Sequence, residues 1–299
     1  MKIVMIGTGA WAKAMKVVLE RNQHEVTLLS RDEGQWPHDT REIDFVFVAI
    51  PCQVLRNRLS KLLHPGCPVV SLIKGIEIES GDYVSTIFKQ TWEGCKIGVL
   101  SGPTLAMEIQ ANKTSAAVVA AETESLAKQI QELSHHKLFR VYTSSDLLGV
   151  ELGGALKNVY AIAGGISKGL SLGDNGIAAT MTRSLAEMVR LATVLGAKKE
   201  TLFGLSGVGD LMLTAYSGHS RNHQAGLLLG QGCGVEEAVN RVRGVAEGIP
   251  TIKALHQIAQ KKAIRTPVLD ELFAIVYEQK PVKEALESLV LREVSGESL

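Results

Sequence analysis

The chain is predicted to be an α/β protein, with an N-terminal doubly wound, mostly parallel sheet followed by a C-terminal all-helical domain. Through the first half, nearly continuous apolar runs of strand length alternate with helix-like segments, as in sheets covered by helices on both faces. From about Ser145 onward no strand-like run follows, and apolar residues recur at helical spacing. We therefore expect an α/β domain in residues 1–145 and a helical domain in residues 146–299.

The first half contains seven strand-like runs separated by helix-like segments. The runs are Lys2–Gly7, Glu25–Ser30, Asp44–Ile50, Pro68–Ile73, Lys96–Leu100, Ser115–Ala121 and Phe139–Tyr142. Helices are predicted at Ala10–Arg21, Cys52–Leu63 and Glu124–Leu133. Thr123 is the predicted N-cap of the last of these helices, because its hydroxyl can accept a first-turn N–H.

The second half is rich in glycine as well as helical. Helical spacing is clearest at Ala179–Leu195 and Val268–Glu278, and residues 149–176 hold eight glycines. The whole chain has 29 Gly but only 8 Pro among 299 residues. Surplus glycine without proline indicates close approach of the backbone to a ligand or between packed helices.

Composition excludes several classes of function. The 32 Lys and Arg residues balance 31 Asp and Glu, so the net charge of +1 gives no electrostatic case for nucleic-acid or anionic-membrane binding. The four cysteines form no C-x-x-C pair, which fits a reducing cytoplasm. We expect neither a signal peptide nor membrane insertion. His219 and His223 lack an evident third ligand nearby, so no metal site is predicted.

A phosphate-binding type of turn follows the first predicted strand. The run Gly7-Thr8-Gly9-Ala10-Trp11-Ala12 has the spacing G-x-G-x-x-A and opens the first predicted helix. Gly7 permits the tight turn, Gly9 lets the backbone approach a pyrophosphate, and Ala12 is small enough for helix–strand packing. We therefore predict a Rossmann-type dinucleotide site with phosphates at the helix N-terminus. The alternative interpretation is a glycine-rich turn that only packs.

The end of the second predicted strand bears on the choice of dinucleotide. Arg31 follows this strand, where NAD-selective sites often have an acidic residue. Because a guanidinium suits a 2′-phosphate, NADP(H) is favoured, with NAD(H) as the alternative and Asp32 as the competing residue. Only residues 32–43 separate Arg31 from the next strand, so we expect a short irregular loop that holds Trp36 and Pro37.

Two lysines lie where a ligand could meet them. Lys74 follows a predicted strand at its carboxyl end, which is where open α/β sheets bind ligands. Lys157 lies among small apolar residues in Gly154–Asn158, which predicts a buried side chain. Desolvation would lower its pKa and make it a proton acceptor near neutral pH. The alternative is a surface lysine that extends its ammonium into water.

The run Ser220-Arg221-Asn222 forms the third unusual feature. Ser220 is a good N-cap, which would place Arg221 and Asn222 in the first turn of a helix. A guanidinium together with first-turn N–H groups can bind a phosphate. Simple capping of the helix is the alternative interpretation.

Together, these motifs resemble those of bacterial NAD(P)-dependent glycerol-3-phosphate dehydrogenase over essentially the whole chain. The matching runs, in chain order, are Gly7-x-Gly9-x-Trp11, Lys74-Gly75-Ile76-Glu77, Ser101-Gly102-Pro103-Thr104, Gly149–Asn158, Gly173-Asp174-Asn175, Gly204–Leu211, Ser220-Arg221-Asn222 and Val245-Ala246-Glu247-Gly248.

The resemblance implies reversible oxidation of sn-glycerol 3-phosphate to dihydroxyacetone phosphate, with hydride passing between C2 and the nicotinamide. It also implies a supply of glycerol 3-phosphate for phospholipid synthesis, and a homodimer. Lys157 aligns with the family's proton acceptor. Lys74 aligns with a residue that touches cofactor and substrate, where its charge would polarise the carbonyl oxygen. Asp210 aligns with a substrate-site residue that would orient Lys157.

The same resemblance assigns the other expected contacts. The expected substrate-binding residues are Lys74, Gly102, Thr104, Lys157, Asp210, Ser220, Arg221 and Asn222. The expected cofactor-binding residues are Gly7, Gly9, Ala10, Trp11, Arg31, Lys74, Ala106, Arg221, Val245 and Glu247.

The chain departs from the family pattern in two places. Ala12-Lys13 stands where the family usually has Gly-Thr, and we expect Lys13 to face solvent. The segment between the second and third strands is shortened to residues 32–43, which affects the adenine side of the cofactor.

Two rival functions remain at this point. A hydroxy-acid dehydrogenase or ketopantoate-type reductase would share the two-domain plan but would not need Ser220-Arg221-Asn222. A non-catalytic dinucleotide sensor would not need Lys74 and Lys157.

Overall fold

A computed structural model describes residues 1–30, 35–242 and 244–292 of the chain. Within these residues, seven strands form one sheet. In chain order they are Lys2–Ile6 (β1), Glu25–Leu29 (β2), Phe45–Val48 (β3), Val69–Ser71 (β4), Ile97–Ser101 (β5), Ser115–Ala121 (β6) and Phe139–Ser144 (β7). All seven predicted strands are confirmed, although β3 and β4 are shorter than the apolar runs that contain them.

The sheet is doubly wound and mostly parallel, as predicted. Its strand order is β2-β1-β3-β4-β5-β6-β7, and only the pair β5 and β6 is antiparallel among these neighbours. Ile3 of β1 lies opposite Val26 of β2 on one side and Phe45 of β3 on the other. The chain therefore reverses direction across the sheet between β1 and β3, and a crevice opens at their carboxyl ends.

Helices cover both faces of the sheet and make up the described part of the second half. They are Ala10–Arg21 (α1), Leu55–Leu59 (α2), Val84–Thr91 (α3), Ala106–Gln110 (α4), Glu124–Ser134 (α5), Leu147–Gly169 (α6), Gly173–Val194 (α7), Lys199–Leu202 (α8), Asp210–Tyr216 (α9), Arg221–Gly230 (α10), Val235–Arg241 (α11), Gly248–Lys261 (α12), Pro267–Tyr277 (α13) and Val282–Val290 (α14). Across the described residues, none of these helices has the length and apolar character needed to cross a membrane.

The helix predicted at Cys52–Leu63 was wrong in extent. Its start winds into a 3-10 turn at Cys52–Val54, and α2 ends at Leu59. Leu62 N–H then donates to the carbonyl of Leu59, three residues back, so the chain tightens before the His64-Pro65 pair, where proline disfavours helix. Between β2 and β3, the described residues 35–43 hold only a 3-10 turn at Thr40–Glu42, which agrees with the expected irregular loop.

Helix α6 is the centre of the helical half. Residues 149–167 are buried, and α7, α9, α10 and α12 pack around them. Asp146 begins the helix as its N-cap, since Oδ1 accepts a hydrogen bond from Gly149 N–H at 2.9 Å. The same carboxylate accepts Lys198 N–H through Oδ2 at 2.8 Å, so the start of α6 is fixed to the turn before α8.

Helices α6 and α10 run parallel and touch through their backbones. A Cβ at Gly165 would lie 2.1 Å from the His223 carbonyl oxygen, and one at Gly226 would lie 2.1 Å from that of Ile162. Real side chains cannot occupy such space, so glycine is required at both positions. The glycine surplus in this part of the sequence therefore permits close helix packing.

Candidate active site

The predicted catalytic side chains meet between the carboxyl edge of the sheet and the helical half. Lys74 lies three residues beyond β4, Lys157 lies in the middle of α6, and Asp210 begins α9. A π-helical turn at Leu205–Gly209 leads into α9 and packs against α6. Gly153 of α6 allows this contact, because a Cβ there would lie 2.8 Å from the Ser206 carbonyl oxygen.

Asp210 pairs with both lysines. Its Oδ2 lies 2.6 Å from Lys74 Nζ, and its Oδ1 lies 2.9 Å from Lys157 Nζ. Asp210 is 1% exposed and Lys157 is 7% exposed. Lys157 is therefore the buried lysine that the sequence predicted and does not extend into water.

Burial sets the protonation of this cluster. Burial lowers the pKa of Lys157 to about 8, repulsion by Lys74 acts in the same direction, and Asp210 and Glu247 oppose the shift. Burial alone would raise the pKa of Asp210, but the two ammonium groups outweigh it and hold that pKa below its ordinary value. The site thus combines an ionised carboxylate with a lysine that can lose its proton near neutral pH.

Thr214 completes the contacts of Lys157 and was not found from the sequence. Its Oγ1 accepts a hydrogen bond from Lys157 Nζ at 2.7 Å and donates one to Asp210 Oδ1 at 3.1 Å. Thr214 lies four residues after Asp210, on the same face of α9. That spacing is the signal that could have identified it.

Two predicted substrate residues lie beside Lys74. Its Nζ donates to the Gly102 carbonyl at 3.1 Å and lies 3.5 Å from Thr104 Oγ1. Gly102 has φ +149°, and a Cβ there would lie 2.8 Å from Ala117 Cα, so only glycine fits this turn. The ammonium of Lys74 is consequently held between the loop that follows β5 and the start of α9.

The predicted run at the start of α10 has divided roles. Ser220 caps the helix by accepting His223 N–H at 3.2 Å, which confirms its capping prediction. The side chain of Asn222 donates to Asn158 Oδ1 at 2.8 Å and accepts Gly248 N–H at 2.9 Å. Asn158, which sequence reasoning did not single out, also donates to the Lys74 carbonyl at 3.0 Å. This amide chain connects the Lys74 loop with α6, α10 and α12.

Arg221 lies near the predicted cofactor residues that precede α12. Its guanidinium rests against Gly244, where a Cβ would lie 3.0 Å from Nη1. Val245 is exposed, and Glu247 is half-buried. Burial raises the pKa of Glu247 to about 7, opposed by the charges of Arg221 and Lys157. Arg221 thus stands between the α10 N-terminus and the expected cofactor contacts.

The turn after β1 fits a dinucleotide. Gly7 has φ +123°, and a Cβ there would lie 2.4 Å from the Ala49 carbonyl oxygen, whereas a Cβ at Gly9 would meet nothing within 4 Å. The N-terminus of α1, which begins at Ala10, has no side-chain cap, so its first-turn N–H groups can face phosphates. Trp11 Nε1 is buried without a partner among the described residues, and the Trp11 ring lies 6.0 Å from Lys74 Nζ.

The adenine side of this crevice is described in part. Arg31 lies outside the described residues. Arg58, which the sequence analysis did not single out, is 5% exposed and donates to the Ser30 carbonyl at 3.0 Å, immediately after β2. Ala106 begins α4, which packs against α1. Lys13 is exposed, as expected.

Two family models match the chain. The model for the N-terminus of NAD-dependent glycerol-3-phosphate dehydrogenase matches residues 37–127, and the model for its C-terminus matches residues 146–287. Two bacterial relatives carry the name glycerol-3-phosphate dehydrogenase [NAD(P)+]. The one from Pseudomonas putida (strain KT2440) is 46% identical and covers 95% of this chain and 85% of its own. The one from Pseudomonas syringae pv. tomato is 40% identical and covers 97% and 94%.

Solved structures agree with these relatives. A glycerol-3-phosphate dehydrogenase from Coxiella burnetii has a TM-score of 0.91 at 32% identity, and the match covers 97% of this chain and 99% of that chain. A ketopantoate reductase from Staphylococcus aureus has a TM-score of 0.56 at 12% identity, over 96% of this chain and 99% of that one. The second likeness shows a common fold only.

Proposed function

Because the chain belongs to the NAD-dependent glycerol-3-phosphate dehydrogenase family, we propose that the site around Asp210 performs the reversible oxidation of sn-glycerol 3-phosphate to dihydroxyacetone phosphate. The chain is an NAD(P)-dependent oxidoreductase that acts on a CH–OH group. The observation that carries the proposal is the sharing of the Asp210 carboxylate by Lys74 and Lys157. The rival hydroxy-acid or ketopantoate activity is not favoured, since the family models and close relatives carry the other name.

Each residue of the cluster has a distinct part in proton transfer. A bound nicotinamide dinucleotide would supply the hydride acceptor for C2 during oxidation and the hydride donor during reduction. Neutral Lys157 takes the proton of the C2 hydroxyl during oxidation, and protonated Lys157 returns it during reduction. The charge of Lys74 stabilises the negative charge that develops on that oxygen. Asp210 and Thr214 hold Lys157 Nζ in place through contacts of 2.9 and 2.7 Å.

The phosphate of the substrate is assigned to the start of α10. Arg221 supplies a cation, and the first-turn N–H groups of the helix supply donors that a dianion requires. The side chain of Asn222 is already bonded to Asn158 and Gly248. In this proposal Asn222 therefore holds the helix start, while Arg221 and the backbone bind the phosphate.

NADP(H) is the favoured cofactor within the established requirement for a nicotinamide dinucleotide. Gly7, Gly9 and Trp11 would hold the phosphate and nicotinamide portions of this cofactor, as the geometry of the turn after β1 allows. The preference rests on the sequence position of Arg31 after the second strand. We also infer a cytoplasmic homodimer, a division between residues 1–145 and 146–299, and a supply of glycerol 3-phosphate for phospholipid synthesis.

Turnover with purified protein tests this function. Oxidation of NADPH and of NADH by dihydroxyacetone phosphate is followed by nicotinamide absorbance, with ketopantoate and 2-keto acids in parallel. Lys157→Ala should abolish turnover while leaving NADPH binding intact. Lys168→Ala is the matched control, because Lys168 is exposed on the same helix. A folded protein that binds NADPH but turns over only a rival substrate would contradict the proposal.

A further inference from the structure

A half-buried ion pair joins α2 to the loop between β4 and α3, the loop that carries Lys74. Arg56 of α2 approaches the Glu77 carboxylate from two nitrogens, with Nε 3.1 and 3.0 Å from its two oxygens and Nη2 2.8 Å from Oε2. Arg56 Nη2 also lies 2.9 Å from Asp82 Oδ2. Two-nitrogen contacts of this kind fix the orientation of both groups.

Glu77 stabilises the turn at residues 77–82 through its side chain and its backbone. Its side chain is 8% exposed, against 37% for that of Arg56. Ser80 Oγ donates to Glu77 Oε2 at 2.6 Å, and the Glu77 backbone bonds to Asp82 O and Gly81 N. The hydrogen bonds from Arg56 hold the pKa of Glu77 below its usual range, so the carboxylate stays ionised and needs its cation.

The 3-10 turn before α2 also holds the two residues between Lys74 and Glu77. Gln53 donates to the Ile76 carbonyl at 2.7 Å and accepts Ile78 N–H at 3.0 Å, in the manner of a neighbouring strand. A Cβ at Gly75 would lie 2.9 Å from Cys52 Cβ, so the loop rests directly on the turn that precedes α2. The loop has little freedom to move without releasing Arg56.

The geometry points to Arg56 and Glu77 as a positioning pair that holds Lys74 for the substrate. Neither residue touches the reacting groups, and both act through the backbone that carries Lys74. If the pair is lost, the loop relaxes, and Lys74 Nζ leaves its contacts with Asp210 and the Gly102 carbonyl. The inference rests on the proposed function, because it assigns Lys74 to dihydroxyacetone phosphate and not to cofactor binding alone.

Steady-state kinetics of Arg56→Met, Arg56→Lys and Glu77→Gln test the pair. Arg56→Met and Glu77→Gln should each lower kcat/KM for dihydroxyacetone phosphate about tenfold through kcat, while KM for NADPH stays within about twofold. Arg56→Lys should restore part of the loss, because it keeps the charge without the two-nitrogen contact. Arg241→Met is the matched control: it removes an exposed pair with Glu237 and should change neither constant.

The outcomes separate the two proposals. Wild-type protein that binds NADPH but does not turn over dihydroxyacetone phosphate defeats the proposed function. Active wild-type protein together with Arg56→Met and Glu77→Gln variants of unchanged kcat/KM for dihydroxyacetone phosphate defeats the positioning pair. A fall in kcat/KM for dihydroxyacetone phosphate with an equal rise in KM for NADPH and a lowered Tm would show general destabilisation and also overturn it. Should Arg56→Met fail to fold, Glu77→Gln, which keeps the size and shape of the side chain, decides alone.

Discussion

Lys74 and Lys157 bind opposite oxygens of one carboxylate, so their ammonium groups are held side by side although both are positively charged. Asp210 Oδ2 takes Lys74 at 2.6 Å and Oδ1 takes Lys157 at 2.9 Å. Asp210 cannot neutralise both charges, and Lys157 is the more deeply buried of the two lysines. The arrangement therefore favours loss of the proton from Lys157.

The first prediction concerns pH. Neutral Lys157 is needed for oxidation, so kcat/KM for glycerol 3-phosphate should rise with pH through about 8 and then level. Reduction needs the protonated form and should fall over the same range. Asp210→Asn should shift the pH profiles of both directions to lower pH, because the Asp210 charge raises the pKa of Lys157. Initial rates in both directions give the profiles.

The control for this experiment is Asp174→Asn, an exposed acid in the first turn of α7. Asp174→Asn should leave both pH profiles unshifted. Asp210→Asn also leaves two lysines without their counter-ion, so its Tm must be recorded beside the rates. Unshifted pH profiles in a folded Asp210→Asn variant would contradict the assignment of Lys157 as the proton acceptor.

The second prediction concerns Thr214. Thr214→Val keeps the shape of the side chain but removes the acceptor for Lys157 Nζ and the donor to Asp210. We expect kcat to fall by about tenfold to a hundredfold, since a hydrogen bond to a charged group contributes roughly 1.5–3 kcal/mol. KM for dihydroxyacetone phosphate should change less. Thr182→Val is the control, because the Thr182 hydroxyl bonds only its own helix backbone on an exposed face of α7. An equal fall in both variants would refute the role.

The third prediction separates two glycines of the same turn. Gly7→Ala should lower the free energy of unfolding by about 1–3 kcal/mol or more, because a Cβ there would overlap the Ala49 carbonyl oxygen. Gly9→Ala meets open space, so Tm should not change. Its Kd for NADPH should instead rise about tenfold, or ~1.4 kcal/mol, as the methyl group occupies the approach of the pyrophosphate. Thermal melts and NADPH fluorescence titrations measure the two effects, and unaltered NADPH affinity in Gly9→Ala would argue against phosphate binding at this turn.

The fourth prediction concerns cofactor choice. Arg31→Ala should lower kcat/KM for NADPH about tenfold, by loss of a charge-assisted contact to the 2′-phosphate, with little effect on NADH. Lys13→Ala also removes a cation, but Lys13 is exposed on α1 and should not alter the ratio. The NADPH/NADH ratio of each variant is the measurement. A wild-type enzyme that prefers NADH would overturn the expected preference.

Most of the fold could be predicted because buried parallel strands form continuous apolar runs. The end of α2 at Leu59 could not, since it depends on turn geometry before His64-Pro65. For the site, the small residues around Lys157 predicted its burial. The spacing of four residues could have placed Thr214 beside Asp210. No local pattern shows that Thr214 also meets Lys157 or that Asn158 meets the Lys74 carbonyl, because those contacts arise only when α6, α9 and α10 pack together.

The parallel contact of α6 with α10 has a consequence for inherited variation. Asn158 and Asn222, Ile162 and Gly226, and Ile166 and Gly230 all meet at a constant offset of 64 residues, and the same offset aligns Lys157 with Arg221. Because Gly226 and Gly230 face backbone carbonyls of α6, there is no flexible side chain at these two positions to absorb an added methyl group. A single-nucleotide change that replaces Gly226 would wedge the helices apart and carry Arg221 away from Lys157. Such an allele would resemble a substrate-recognition defect although Gly226 is not one of the expected substrate-binding residues.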